Sequence, residues 1–185
     1  MLLRALATLI LVLPLSAQDV YRIDAAHSQI GFRIRHLVAK TSGRFTRFEG
    51  AVKVDTQDMT RSSVEVKIDA ASINTDNDAR DKHLRSADFF DVAKFPSITF
   101  RSTAVREVEK GKLQVTGLLS MHGITKSITF PISNAGTRPG MQPGTVVAGF
   151  IDGSLKLNRN DYGISTYPGV LGDDVEISLD IEAGK

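Results

Sequence analysis

Over most of the chain, apolar and polar residues alternate one for one in short runs. Successive side chains of an extended strand point to opposite faces, so each run marks a strand with one buried and one wet face. Ile30, Phe32 and Ile34 share a face against Gln29, Gly31, Arg33 and Arg35. Val52 and Val54 alternate with Lys53 and Asp55, and Val64, Val66 and Ile68 with Glu65, Lys67 and Asp69. The pattern returns at Ile98 and Phe100, at Leu113, Val115, Gly117 and Leu119, and at Ile128, Phe130 and Ile132. Val146, Ala148 and Phe150 begin a run blurred by Val147 and Ile151, which continues towards Leu155 and Leu157. Val175, Ile177, Leu179 and Ile181 close the series.

One-sided alternation favours an antiparallel sheet over a parallel sheet buried on both faces. About eight such strands close into a barrel or stack as a sandwich. Lys110-Gly111, His122-Gly123, Arg138-Pro139-Gly140, Pro143-Gly144 and Gly172-Asp173-Asp174 supply the turns. No linker or repeat divides the chain, so residues 18–185 are expected to form one all-β domain.

Residues 75–94 break the alternation. Thr75 with acids behind it predicts a helix start, Ala79, Leu84 and Ala87 lie on one side, and Phe95-Pro96 ends the segment. This helical insert carries Phe89 and Phe90, which are expected to pack across an opening of the sheet. At the other extreme, Arg4 precedes an apolar run from Ala5 to Leu15 and then Ser16-Ala17-Gln18. That is the layout of a secretory signal peptide over residues 1–17, and the run is too short for a spanning helix of roughly 20 residues. The product is expected in the periplasm without a stable membrane anchor; a cysteine-free chain suits an oxidising compartment.

Composition removes several classes of function. Lys and Arg total 23 against 21 Asp and Glu, Trp is absent and aromatic residues make up 6%, which supports no nucleic-acid partner. Without cysteine there is no thiol nucleophile, thiolate metal site or disulfide. Asp76, Asp78 and Asp81 miss the spacing of a calcium loop, and His27, His36, His83 and His122 show no close ligand spacing, so no metal or cofactor is expected. His27-Ser28 lacks a nucleophile elbow, and Asp24 to Ser28 is more simply a turn whose side chains cap backbone groups. No catalytic residue is assigned, and the chain is not expected to be an enzyme. His36 continues the Ile30–Phe32–Ile34 face, either as a core residue or as a polar handle in a pocket. Small residues also fall on apolar faces: Gly117, Ala70, Ser102, Ala104 and Ala148. They either widen a barrel into a ligand cavity or permit close packing, and periodicity favours neither.

Several segments together resemble a known family. Ile23-Asp24-Ala-Ala-His27-Ser28-Gln-Ile30-Gly-Phe32, Gly43-Arg-Phe45, Phe48-Glu-Gly50 and Arg80-Asp81-Lys-His83-Leu84-Arg-Ser86-Ala-Asp88-Phe89-Phe90-Asp91 are similar to the YceI-like family. So are Phe95-Pro96-Ser-Ile98-Thr-Phe100, Gly117-Leu-Leu-Ser-Met-His122-Gly123 and Arg159-Asn-Asp161-Tyr162-Gly163-Ile164, with Tyr162 where many relatives carry Phe. The resemblance runs from about residue 20 to 182. It implies an eight-stranded antiparallel lipocalin-like barrel, exported to the periplasm, that holds a long isoprenoid of polyprenyl or quinone type, and it is compatible with a homodimer. Phe32, Ile34, Phe100, Val115, Leu119, Phe130 and Ile177 are then the expected lumen wall, His36 the head-group contact, and Phe89 and Phe90 the mouth. Gly117 is expected to face the open lumen. The alternatives are an envelope interaction or stress protein with a packed core, and a redox accessory of a membrane cytochrome.

Overall fold

The computed structural model describes residues 18–185, and the expected signal peptide lies outside them. Every alternating run forms a strand. In chain order the elements are β1 (Asp19–Ile23), β2 (Gln29–His36), β3 (Ala39–Phe45), β4 (Phe48–Val54), β5 (Ser63–Asp69), β6 (Ile73–Asn74), α1 (Asp78–Leu84), β7 (Ser97–Glu109), β8 (Lys112–Met121), β9 (Ile124–Pro139), β10 (Val146–Asn158) and β11 (Leu171–Gly184). Single 3₁₀ turns lie at Met59–Arg61, Ala70–Ser72 and Arg159–Tyr162.

The sheet is antiparallel and closed, because β11 pairs with β10 on one side and with both β1 and β2 on the other. β1 and β2 are two halves of one barrel strand, and so are β3 and β4, which gives eight strands around the barrel. The joint between β1 and β2 is held by residues that the sequence marks as a turn. The Asp24 N–H donates to the Glu182 carbonyl at 2.9 Å, and the Glu182 N–H donates to Ser28 Oγ at 2.9 Å. A serine hydroxyl thus carries the ladder across the kink.

Two β-bulges alter which residues face inward. In β7 the register shifts between Ser102 and Ala104, so Val105, not Ala104, joins Phe100 inside. In β10 it shifts between Phe150 and Gly153, turning Ile151 outward at 42% exposure. An inserted residue moves the following side chains to the opposite face, which is why the run around Val147 and Ile151 looks blurred.

The small residues serve packing. A Cβ on Gly117 would collide with the Phe100 ring and lie 2.5 Å from the Arg101 carbonyl oxygen, so Phe100 and not Gly117 faces the lumen there. Ala70 and Ala148 lie in solid core at 1% and 2% exposure, and Ser102 Oγ accepts the Val64 N–H.

The insert is less helical than its sequence suggests. Asn77, not Thr75, caps α1 by accepting the Arg80 N–H at 2.9 Å. Both the N–H and hydroxyl of Thr75 instead donate to Asp81 Oδ1, at 2.9 and 2.5 Å. Helical structure stops at Leu84, where Arg85 donates to the carbonyls of Ala71 and Ile73 and ties the segment to the barrel rim. Leu84 turns inward, whereas Ala79 and Ala87 are exposed. So short a helix needs such tertiary contacts to persist.

Candidate functional site: a two-lobed lumen

Inward-facing strand residues enclose a lumen of two adjoining lobes. The inner one, about 180 Å³, is lined by residues including Val52, Val64, Ile98, Val105, Leu113, Ile132 and Phe150, with only Ser62 and Ser63 as polar neighbours. The outer lobe, about 370 Å³, lies under α1 and the segment that follows it. Phe45, Met121, Leu157 and Ile177 line both lobes and form the neck between them.

The residues singled out in the sequence divide between the lobes. Phe100, Val115, Leu119 and Phe130 line the inner one, with the rings of Phe100 and Phe130 5.5 Å apart. Phe32, Ile34, His36, Phe89 and Phe90 line the outer one, and Ile177 sits at the neck. His36 is exposed at the end of β2, which removes the core-residue reading and leaves a polar group on the rim. Phe90 meets Phe45 edge-on at 5.9 Å, and Phe45 in turn contacts Phe32 at 6.1 Å, so an aromatic chain runs from insert to neck.

Sequence reasoning missed the polar collar of the outer lobe. Arg80 reaches Thr75 through Nε–Oγ1 and Nη2–O contacts, both of 2.7 Å. His83 Nε2 lies 3.0 Å from Asp88 Oδ2, and its ring stands edge-on to Phe89 at 5.1 Å. Arg159 is 4% exposed and donates to the carbonyls of Gly172, Ile164 and Thr166 as well as to Asp173. These bonds hold the loop that carries Tyr167 and Val170 against the mouth, and Thr166 Oγ1 ties it to the Asp88 carbonyl. The motif spanning Arg159 to Ile164 was the available signal, but its long-range acceptors leave no local pattern.

Tyr162, beside Arg159, packs among Ile30, Phe48, Ile98 and Leu119 at 1% exposure. Its hydroxyl finds no hydrogen-bond partner among the described residues, and burial pushes its phenol above the usual value.

Such a lumen can bury a long apolar chain below the neck and meet a polar end at the collar. Ser62 and Ser63 line the inner lobe and His36 and His83 the outer one, so neither lobe presents both a serine hydroxyl and an imidazole. Asp24, His27 and Glu182, whose ligand atoms lie within 4.8 Å of one another, line neither lobe. Among the described residues no helix is long and apolar enough to cross a membrane.

Known proteins are similar to this chain in sequence or in fold. A UPF0312 protein of Vibrio parahaemolyticus is 39% identical over 182 residues, spanning 95% of this chain and 93% of its own. The crystal structure of Burkholderia cenocepacia BcnA superposes with a TM-score of 0.78 at 26% identity, over 87% of this chain and 99% of that one. A polyisoprenoid binding domain from Saccharophagus degradans shares the fold at a TM-score of 0.62 and 17% identity, over 88% and 97% of the two chains. The family model of the YceI-like domain matches residues 21–183, the whole barrel from β1 to β11, and the chain belongs to that family.

Proposed function

We propose that this protein is a periplasmic carrier, exported by a signal peptide over residues 1–17, that holds a long isoprenoid chain in its lumen and catalyses no reaction. The tail, of polyprenyl or quinone type, lies through the neck into the inner lobe, and its head rests at the collar near His36 and Arg80. The observation that carries this reading is the inner lobe itself: a closed barrel keeps an unfilled lumen whose lining is aliphatic and aromatic apart from two serines. The two lobes together fall within the ~300–1,000 Å³ of ordinary ligand sites. Each buried methylene contributes about 0.8 kcal/mol, so several isoprene units outweigh the cost of association without any polar contact below the neck. Phe32, Ile34, Phe100, Val115, Leu119, Phe130 and Ile177 form the wall that touches the chain, with Phe89 and Phe90 over its entry. The Saccharophagus polyisoprenoid binding domain supports this ligand class, and the family resemblance is compatible with a homodimer.

The test is native mass spectrometry of protein purified from its host's periplasm, beside mass spectrometry of a solvent extract. A stoichiometric prenyl-type mass is expected. Bare polypeptide mass, with refusal of added polyprenols, would overturn the reading in favour of an envelope interaction protein. A visible absorption band from a bound chromophore would instead favour a redox accessory.

A further inference from the structure

The floor of the inner lobe is built at a structural cost. Leu157 and Leu155 line the lumen and Gly153 is buried; an unbroken strand would continue that parity to Ile151 and turn Phe150 outward. The opposite is seen. The register of β10 shifts against β11 between Phe150 and Gly153, and against β9 between Gly149 and Phe150. Asp152 takes φ +58 in the bulge, its N–H held by Asp180 Oδ1 at 3.0 Å. A non-glycine residue in that region is costly, so it needs support from its surroundings. The outcome is an exposed Ile151 and a Phe150 ring, 7% exposed, that lines the lumen. Phe150 shares its core cluster with Tyr21, Ala148 and Ala183, of which Ala183 is 0% exposed and none lines either lobe.

The geometry points to Phe150 as the stop against which the far end of the bound chain rests, so that this one ring sets the chain length the barrel accepts. The inference rests on the carrier reading above. From Phe150 to Leu157 at the neck, a strand rising ~3.3 Å per residue and tilted ~40° covers roughly 15–20 Å. An extended isoprene unit, four main-chain carbons at ~1.5 Å per bond, takes about 5 Å, but the free volume of about 180 Å³ admits only about two such units, so the terminal units lie below the neck and the remainder in the outer lobe. A chain too long for the lumen leaves its head displaced outward from the collar.

The experiment is a series of all-trans prenols of about two to nine isoprene units, titrated against the wild-type protein and three variants by competition with a fluorescent prenyl probe. Affinity for the wild type should rise by about tenfold or more per added unit and then level off where the tail reaches Phe150. Phe150→Leu should move that plateau to a longer prenol, and Val105→Phe, which raises the floor, to a shorter one. Leu157→Ala, at the neck, should change affinity at every length and leave the plateau in place. Thermal melts identify any variant that fails to fold, and because Phe150→Leu and Val105→Phe predict opposite shifts, either one decides. An unmoved plateau in a folded variant that still binds prenols overturns the stop and leaves the carrier standing. Failure of the wild type to bind any prenol overturns both.

Discussion

The inner and outer lobes present one continuous apolar surface but are built by different means. Nearly all of the inner wall comes from regular strands, with side chains held in place by the barrel's own ladder. About half of the outer wall comes from α1, the turns after it and the loop after Tyr162, held by side chains bonding to distant backbone carbonyls. The strand-built lobe needs no particular partner for any one residue, because its wall is the summed face of eight strands. The loop-built lobe depends on a few buried polar hubs. On the proposed carrier function, affinity for an apolar tail would belong to the robust half, and admission and head-group contact to the half with single points of failure.

Removing one hub should separate the two lobes most strongly. Arg159→Ala leaves three buried-loop carbonyls without their donor and opens a void beside Tyr162, a loss of about 3 kcal/mol. Lysine should not rescue it, since an ammonium cannot span the acceptors that the guanidinium fork reaches. Hydrogen exchange should show protection collapsing across residues 160–172 while β8 and β9 stay protected. Collapse of both regions together would mean that the two lobes are one cooperative unit.

The same division explains what was legible in the sequence. Period-two alternation located the barrel strands and, with them, Phe100, Val115, Leu119 and Phe130, because a strand's inward face is a local property. It also places Phe150 on the inward face, but fails at Val105, where a bulge exchanges the faces, and at Phe45, whose strand reads Ala39-Lys-Thr-Ser-Gly-Arg-Phe and does not alternate. Gly117 was misread because an absent side chain does not say what fills its place, and here it is the Phe100 ring. The collar was invisible to periodicity. Asp81 answers Thr75, Arg85 answers Ala71 and Ile73, and Arg159 answers Gly172, pairings that only the folded chain brings together.

Tyr162→Phe should act on the scaffold alone. Tyr162 sits in solid core among Ile30, Phe48 and Leu119, and its hydroxyl is desolvated with no partner among the described residues. A buried unsatisfied hydroxyl costs about 1–3 kcal/mol, so its removal should stabilise the protein by about 1 kcal/mol and raise the melting temperature. The prenol length profile should not move, because Tyr162 lines neither lobe. A destabilised variant would show that the hydroxyl bonds to ordered water and that the collar extends inward to it.

The smallest effect lies outside both lobes and serves as their control. His27 Nδ1 sits 2.9 Å from Asp24 Oδ2 at the joint between β1 and β2. That hydrogen bond first, then the charges of Asp24 and Glu182, hold the imidazole above its usual 6.5. The His27 bond first, then the Ala26 N–H, hold Asp24 below its usual 3.8. A raised histidine contributes stability fully below its ordinary value and loses it as pH climbs through the raised one. A lowered carboxylate contributes above its ordinary value and loses it as pH falls through the lowered one. The pair therefore contributes fully between about pH 4 and 6.5 and progressively less outside that window. His27→Gln should melt slightly below the wild type near pH 5.5, match it at pH 8, and release a bound prenol at the wild-type rate at both. A deficit persisting at pH 8 would assign the effect to the turn's geometry instead of its charge. A changed release rate would connect the joint to the lumen, and the division between lobes and scaffold would have to be redrawn.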